Sequence, residues 1–380
     1  MSQALLEELA NAVAAKLGES AAVAVVVDLP ERRVRVTEDG MMYEVFLGNA
    51  YDEYVRAAPE ERPAIVARYA VVADRREIAP PTQAEWQLLL PKLMPRRERE
   101  LLRLRFESVQ NLTTGIAVAD GLLLELAIDL PQSIRMVSAS DLAGAGMSEA
   151  EAFELARRNL IGRSRDPWNR IAPGLYQSPW ADYFDGARLA LPTLFPRIGV
   201  KGDPIVTIPN RCAVLVTGSR EPEGLRYLYE ATRMLAQQER PLHLGGLRLV
   251  DGSWRVLGGA DLDLVPLAPS ILLLGSLQES LDYQAVGERV RELIAASGYH
   301  VEPLHTIDND GVLMTVAKVP RVDRLVIPRA DLVVCGEAMF AWYKLEAMLG
   351  KNLAPLDVWP AHYEVRRPPT LVEINAAKLR

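Results

Sequence analysis

The chain has 380 residues, 49% hydrophobic and 24% charged, enough apolar material for more than one core because single domains rarely exceed about 250 residues. Its formal net charge of −7 argues against general affinity for nucleic acid or an anionic membrane, which would be approached against long-range repulsion. No window approaches the roughly 18 uninterrupted apolar residues of a membrane span, and the N-terminus lacks the basic-then-apolar order of a secretory leader, so a soluble, cytoplasmic protein is expected.

Residues Leu5, Leu6, Leu9, Val13 and Leu17 recur at helical spacing and predict a first helix. Three short strands follow, Ala22 to Asp28, Arg33 to Thr37 and Met42 to Phe46, the last two joined through Asp39-Gly40, which suits a tight hairpin. Helical patterns cover Asn49 to Arg56 and Glu60 to Ala73, and Thr82 is placed to cap a helix from Gln83 to Leu90. Prolines at 91 and 95 and the charged run after them suggest a boundary near Arg96 to Arg105. That run alternates signs without interleaved aromatics, the pattern of a solvated face rather than a nucleic-acid contact.

Apolar runs at 115–119, 122–128 and 134–137 precede a helix opened by the capping box Ser148-Glu-Ala-Glu151. Beyond residue 200 the pattern predicts a strand at 213–217, a helix at 225–238 and a hairpin turning on Asp251-Gly252. It continues with a strand Ile271 to Leu274, a helix from Ser276, strands near His300 and Val312, a strand Asp331 to Cys335 and a helix Glu337 to Leu349. The expected class is α+β: units of helix, short antiparallel strand meander and helix, with central and C-terminal parts partly layered as α/β. Three domains are expected, at 1–100, 101–262 and 263–380.

Familiar catalytic signatures are missing. Gly144-Ala-Gly146-Met-Ser-Glu149 places a carboxylate where a dinucleotide fingerprint needs its third glycine, and a turn before a capped helix accounts for it. The junction Val216 to Pro222 carries no Gly-Lys-Ser/Thr, and Thr306 to Gly311 lacks the distal ligand of a calcium loop and reads as a turn. The four histidines are scattered and no Gly-x-Ser-x-Gly elbow occurs, so neither a metal nor a cofactor is expected. Cys212 and Cys335 lie in apolar strand-like runs and read as buried, inert thiols.

The densest chemistry lies between Gly174 and Arg211, where Tyr176, Trp180, Asp182, Tyr183, Asp185 and Arg188 crowd together, followed by Asn210 and Arg211. Ser178-Pro179 offers an N-cap and a first helical residue, so a helix is expected from there through Ala190, with Asp182, Asp185 and Arg188 on one side. Two roles compete for these residues. In one, paired charges and buried aromatics determine the fold; in the other, Tyr176, Asp182, Asp185, Arg188, Asn210 and Arg211 form a polar pocket for a ligand or partner, with Trp180 and Tyr183 completing the candidate site.

The stretches 47–54, 156–160, 174–188 and 202–211 are similar to the YtpQ-like family of uncharacterised bacterial proteins, most specifically across 174–217. Phe184 stands where that family often has tyrosine, Gly186 where it often has alanine, and Cys212 where it often has aspartate or another small residue. The family is a domain of unknown function, so the resemblance implies a bacterial cytoplasmic protein but no reaction, substrate or cofactor. The leading expectation is a non-enzymatic binding, adaptor or chaperone-like protein that meets another protein or peptide, and neither nucleic acid nor membrane, through the 174–211 region. The alternative is a hydrolase or transferase with Asp182 and Asp185 as acid and base and Arg188 or Arg211 holding an anionic group.

Overall fold

The computed structural model describes residues 3–18, 23–29, 33–38, 41–71, 80–105, 113–130, 133–236, 241–258, 261–264, 266–309 and 312–377. The chain divides into two compact units, residues 1–87 with 128–135, and residues 88–127 with 136–380. The class is α+β, built from several small sheets and helices.

The first unit contains α1 (Gln3–Leu17), the antiparallel meander β1 (Val23–Asp28), β2 (Arg33–Glu38) and β3 (Met41–Phe46), then α2 (Gly48–Arg56), α3 (Arg62–Val71) and α4 (Gln83–Trp86). Helix α1 buries Leu6, Leu9, Ala10 and Val13, the stripe that its spacing predicts, against Val34, Val45, Tyr51, Tyr54 and Ile65. Thr82 and Glu85 cap α4 reciprocally, as expected, but the helix stops at Trp86 instead of Leu90. Pro91 explains the difference, because a residue before proline is driven to extended backbone and the chain enters a strand at Leu89. The Asp39-Gly40 turn lies outside the described residues.

The second unit opens with β4 (Leu89–Pro95) and α5 (Arg96–Arg105), which occupies the segment where a boundary was expected; residues 100 and 262 both fall inside this unit. Then come β5 (Ile116–Ala119), β6 (Leu122–Leu130), β7 (Ser133–Met136), α6 (Ala139–Gly144) and α7 (Glu149–Gly162), with strands ordered β4-β6-β5 and β7 also on β6; the end of β6 and most of β7, residues 128–135, belong to the first unit. Ser148 and Glu151 form the predicted capping box of α7. A six-stranded antiparallel sheet follows from β8 (Asn169–Ala172), β9 (Leu175–Gln177), β10 (Pro204–Asn210), β11 (Ala213–Gly218), β12 (His243–Val250) and β13 (Ser253–Val256), ordered β13-β12-β10-β11-β9-β8. Asp251 and Gly252 both take positive φ, the two-residue hairpin turn that an Asp-Gly pair favours. Helix α8 (Pro222–Ala236) lays Leu225 and Leu228 on Ile205 and Leu215 of this sheet, joined by Ile271 and Leu274.

The last third holds α9 (Leu273–Asp282), a π-helical turn over Tyr283–Gly287 and α10 (Glu288–Ala296). After them come β14 (His300–Val301), β15 (His305–Asn309), β16 (Val312–Lys318), β17 (Leu325–Pro328), β18 (Leu332–Cys335) and β19 (Ala338–Ala341). The chain then adds α11 (Trp342–Leu349), β20 (Leu353–Pro355), β21 (His362–Val365) and α12 (Leu371–Ala377). Two four-stranded sheets, β14-β17-β21-β20 and β15-β16-β18-β19, each contain one parallel pair, β14 with β17 and β16 with β18. Three expectations change here. Ile271–Leu274 is a 3-10 turn running into α9, since a short apolar run does not distinguish a strand from a buried helix start and Pro269 opens the turn. The segment read as a turn at 306–311 is largely β15, and the helix expected from Glu337 is preceded by β19, paired to β18 through Gly336 at positive φ. Among the described residues, no helix is long and apolar enough to cross a membrane.

Candidate functional site

Strand β9 carries Tyr176 opposite Val216 of β11, and the pairing continues past the strand through a side chain. Ser178 N donates to the Val214 carbonyl oxygen at 2.9 Å, and Val214 N donates to Ser178 Oγ at 2.9 Å. The helix expected from Pro179 to Ala190 does not form. Ala181 and Tyr183 adopt left-handed backbone, with φ of 48° and 64°, and only a 3-10 helix over Asp185–Ala190 remains. The carboxylates supply the reason. Asp185 accepts from the backbone N–H groups of Ala181 at 3.3 Å and Asp182 at 3.0 Å, while Asp182 Oδ1 accepts from Phe184 N at 3.0 Å. These bonds offer the backbone an alternative to helical pairing.

Arg188 locks the loop. Its buried guanidinium meets Asp182 through both Nη atoms, at 2.7 and 2.8 Å, donates from Nε to Ser164 Oγ at 3.1 Å, and donates from Nη2 to the Arg163 carbonyl at 3.0 Å. It also lies 4.2 Å from the centroid of the Trp180 ring. This bidentate, stacked geometry is one that lysine does not reproduce. Burial opposes ionisation of Asp182, yet the hydrogen bonds and charge of Arg188 hold its carboxyl below the usual range. Burial raises Asp185, against the Ser178 hydrogen bond and with the charge of Asp182 adding to the rise.

Trp180, Asp182, Asp185 and Arg188 are therefore brought together, whereas the other four candidates are placed apart in role. Tyr176 belongs to the sheet, and Tyr183 is half exposed at the loop tip. Asn210 shapes the β10–β11 turn by accepting from Cys212 N at 2.9 Å, and Arg211 pairs with Glu98 of α5 at 3.2 Å. Cys212 sits in that turn rather than in a strand, and both cysteines are free and half-buried rather than fully enclosed. Burial pushes both thiols up.

An aromatic chain runs outward from the knot. Trp180 meets Trp168 edge-on at 5.4 Å, Trp168 meets Phe195 at 5.5 Å, and Phe195 meets Trp254 edge-on at 4.7 Å. The Trp254 indole N–H donates to the Leu189 carbonyl at 3.0 Å. Trp254 and Leu189 then line a cleft of about 450 Å³, with Ala190 and Pro192 continuing that wall. A second wall is Ile116, Ala117 and Val118 of β5; a third is the stripe Ala150, Phe153, Glu154 and Arg157 at helical spacing along α7. Strands β5 and β13 are the terminal strands of their sheets, and Ile116 is 46% exposed.

A second charged cluster escaped the sequence reading. Arg97 of α5 pairs with Asp282 at the end of α9 at 3.2 Å and donates to the carbonyls of Pro241 and Leu242. Gln278 donates to Asp282 at 2.7 Å and accepts from Leu244 N at 2.7 Å. Burial pushes Asp282 up to about 6 despite its arginine. Thr315 Oγ1 lies 2.7 Å from Asp331 Oδ2 and 3.0 Å from Glu279 Oε2, and it accepts from Asp331 N. One hydroxyl proton cannot serve two carboxylates, so one carboxyl group must supply a proton of its own. Burial and then the charge of Asp331 push Glu279 up to about 7, which favours a proton on this carboxyl. Nearby His243 is buried with neither ring nitrogen hydrogen-bonded, and burial with the Arg97 charge lowers it to about 3, so it is neutral. The available signal was the polar series Ser276, Gln278, Ser280 and Asp282 in an apolar context, all of it buried on α9. Among the described residues no group of three or more histidine, cysteine, aspartate or glutamate side chains is placed to hold a metal ion. No protein-family model, curated protein or solved structure matches the chain.

Proposed function

We propose that this protein works by binding, as an adaptor or chaperone-like protein of the cytoplasm that takes an apolar, extended segment of another protein into the cleft between β5, α7 and Trp254. The observation that carries this reading is the cleft itself, about 450 Å³, walled largely by apolar side chains and flanked by two terminal strands. A terminal strand offers main-chain donors and acceptors to an extended chain, and alternate side chains of that chain then enter apolar pockets. The 174–211 region contributes as the scaffold: the ion pair of buried Arg188 with half-buried Asp182 holds the turn from which Leu189, Ala190 and Pro192 form one wall. Kinship with the YtpQ-like proteins rests on the same residues and is part of the proposal. The hydrolase or transferase reading draws little support from the geometry, because Asp182 and Asp185 are engaged by backbone N–H groups and Arg188 and Asp185 are fully buried.

Titration of the protein with a panel of extended apolar peptides tests the reading, with Ala117→Arg as the variant that fills the cleft from an exposed position. Peptides that bind the wild type should bind the variant at least tenfold more weakly at an unchanged thermal midpoint. Equal affinities, or no binder in the panel, would count against this cleft.

A further inference from the structure

The second unit contains another cleft, of about 320 Å³, between the π-helical turn, α10, the β14–β15 connection and β21. That volume sits at the small end of the roughly 300–1,000 Å³ typical of ligand pockets, and so suits a small molecule rather than a nucleotide or peptide. π-helical turns recur at functional sites, and this one places Tyr283 on the cleft wall. Gly287 makes room for the ring: a Cβ there would lie 2.7 Å from Tyr283 Cδ1.

The deepest polar group on the wall is His362, 2% exposed. Its Nδ1 lies 2.7 Å from the Pro360 carbonyl oxygen, which can only accept, so Nδ1 carries the proton and Nε2 is left as an acceptor. Burial lowers its pKa, keeping the ring neutral near pH 7. Tyr283 and His362 stand 5.4 Å apart with their planes inclined at 56°, forming an aromatic corner, while the Tyr283 hydroxyl is occupied by the Ala361 carbonyl. Ser280, Gln284 and Thr306 add hydroxyl and amide groups. Among the described residues, these groups touch one another through one long contact, Gln284 Nε2 to Ser280 Oγ at 3.3 Å, which a ligand can replace.

The charges around the rim are already engaged: Arg291 with Glu288 at 2.6 Å, and Glu302 with His300 at 2.7 Å. An ionic ligand would compete with these partners for the same groups. A ring that presents hydroxyl groups at its edge and C–H groups on its face would meet every feature without doing so. We infer that this cleft is a binding site for a small, uncharged polyhydroxylated molecule of the monosaccharide class, with a hydroxyl donated to His362 Nε2 and the ring face against Tyr283. The site is separate from the peptide cleft, and the inference does not rest on that reading.

Saturation-transfer NMR on the full chain with glucose, galactose, mannose and arabinose, and with putrescine as a cationic comparator, tests it. At least one sugar should receive transfer and putrescine none. Gln284→Ala and Thr306→Val, both at exposed positions, should each weaken sugar binding about tenfold, and His362→Phe should abolish it. Ala117→Arg should leave it unchanged, which separates failure here from failure of the peptide cleft. Transfer to none of the sugars, transfer to putrescine alone, or sugar binding unaffected in both Gln284→Ala and Thr306→Val would overturn the inference.

Discussion

The second unit handles buried charge in two ways. Around Arg188 the matching is nearly complete: the guanidinium has a carboxylate, a hydroxyl and a carbonyl, both carboxylates take backbone N–H groups, and only Asp185, raised by burial and by the charge of Asp182, lacks a cation of its own. Along α9 the matching is incomplete, with Glu279 beside another carboxyl, Asp282 raised despite its arginine, and His243 without a hydrogen bond. Matched buried charges define a conformation and resist change, because removing one partner strands the other. Unmatched ones leave free energy sensitive to proton concentration or a ligand. The sequence draws the eye to the first region by its density, yet the second has the electrostatics that respond to conditions.

Arg188→Ala is the sharpest way to break the comparison. It would leave Asp182 without its cation and Ser164 Oγ and the Arg163 carbonyl without their donor, and should cost about 3–5 kcal/mol in urea unfolding. A loss below about 1 kcal/mol would mean that the knot is not a fold determinant.

The next effect belongs to the other region. Glu279 has its pKa raised from an unfolded value of 4.5 to about 7 in the fold. Between those values the native state binds more protons than the unfolded chain, so its contribution is complete below about pH 4.5 and is lost as pH rises to about 7, then levels. A shift of this size corresponds to roughly 3 kcal/mol, and partial access of the side chain to solvent reduces the expectation to about 1–2 kcal/mol. Glu279→Gln keeps a donor for Thr315 and removes the titration, so the stability gap between variant and wild type should widen in favour of the variant from pH 4.5 to 7.5. Parallel curves would show that Glu279 ionises normally and would erase the contrast.

Much of the fold was legible where one local signal dominated. The Ser148–Glu151 capping box, the Asp251-Gly252 hairpin and the apolar stripe of α1 each rest on interactions within a few residues. The candidate site was half legible. Composition singled out Asp182, Asp185 and Arg188, and the structure joins them, but Ser178-Pro179 announced a helix that the two carboxylates prevent by capturing their own backbone. Partners from distant sequence were invisible: Ser164 and the Arg163 carbonyl for Arg188, or Asp331 and Thr315 for Glu279. Gly186 shows the same thing. A Cβ there would lie 2.8 Å from Leu93 Cδ2 and 3.2 Å from Ile208 Cγ2, so the space an alanine would use is filled by residues far away in the chain.

The smallest effect probes how firmly the matched region is held. Ala181 is exposed and carries φ of 48°, a conformation in which Cβ crowds the backbone by about 1–2 kcal/mol and which glycine adopts freely. The surrounding bonds hold it there, since its N–H is captured by Asp185 and the next residue's carboxylate by Arg188. Ala181→Gly relieves the crowding but gives the unfolded chain more freedom, an opposing term of about 0.4–1 kcal/mol. The net should be a gain of about 0.5–1 kcal/mol in urea unfolding, reversed in sign if the loop relaxes to φ below zero. Because the gain requires the captured geometry, it should vanish in the Arg188→Ala background, and a double-mutant cycle would measure how much of the strain at Ala181 is sustained by the buried ion pair.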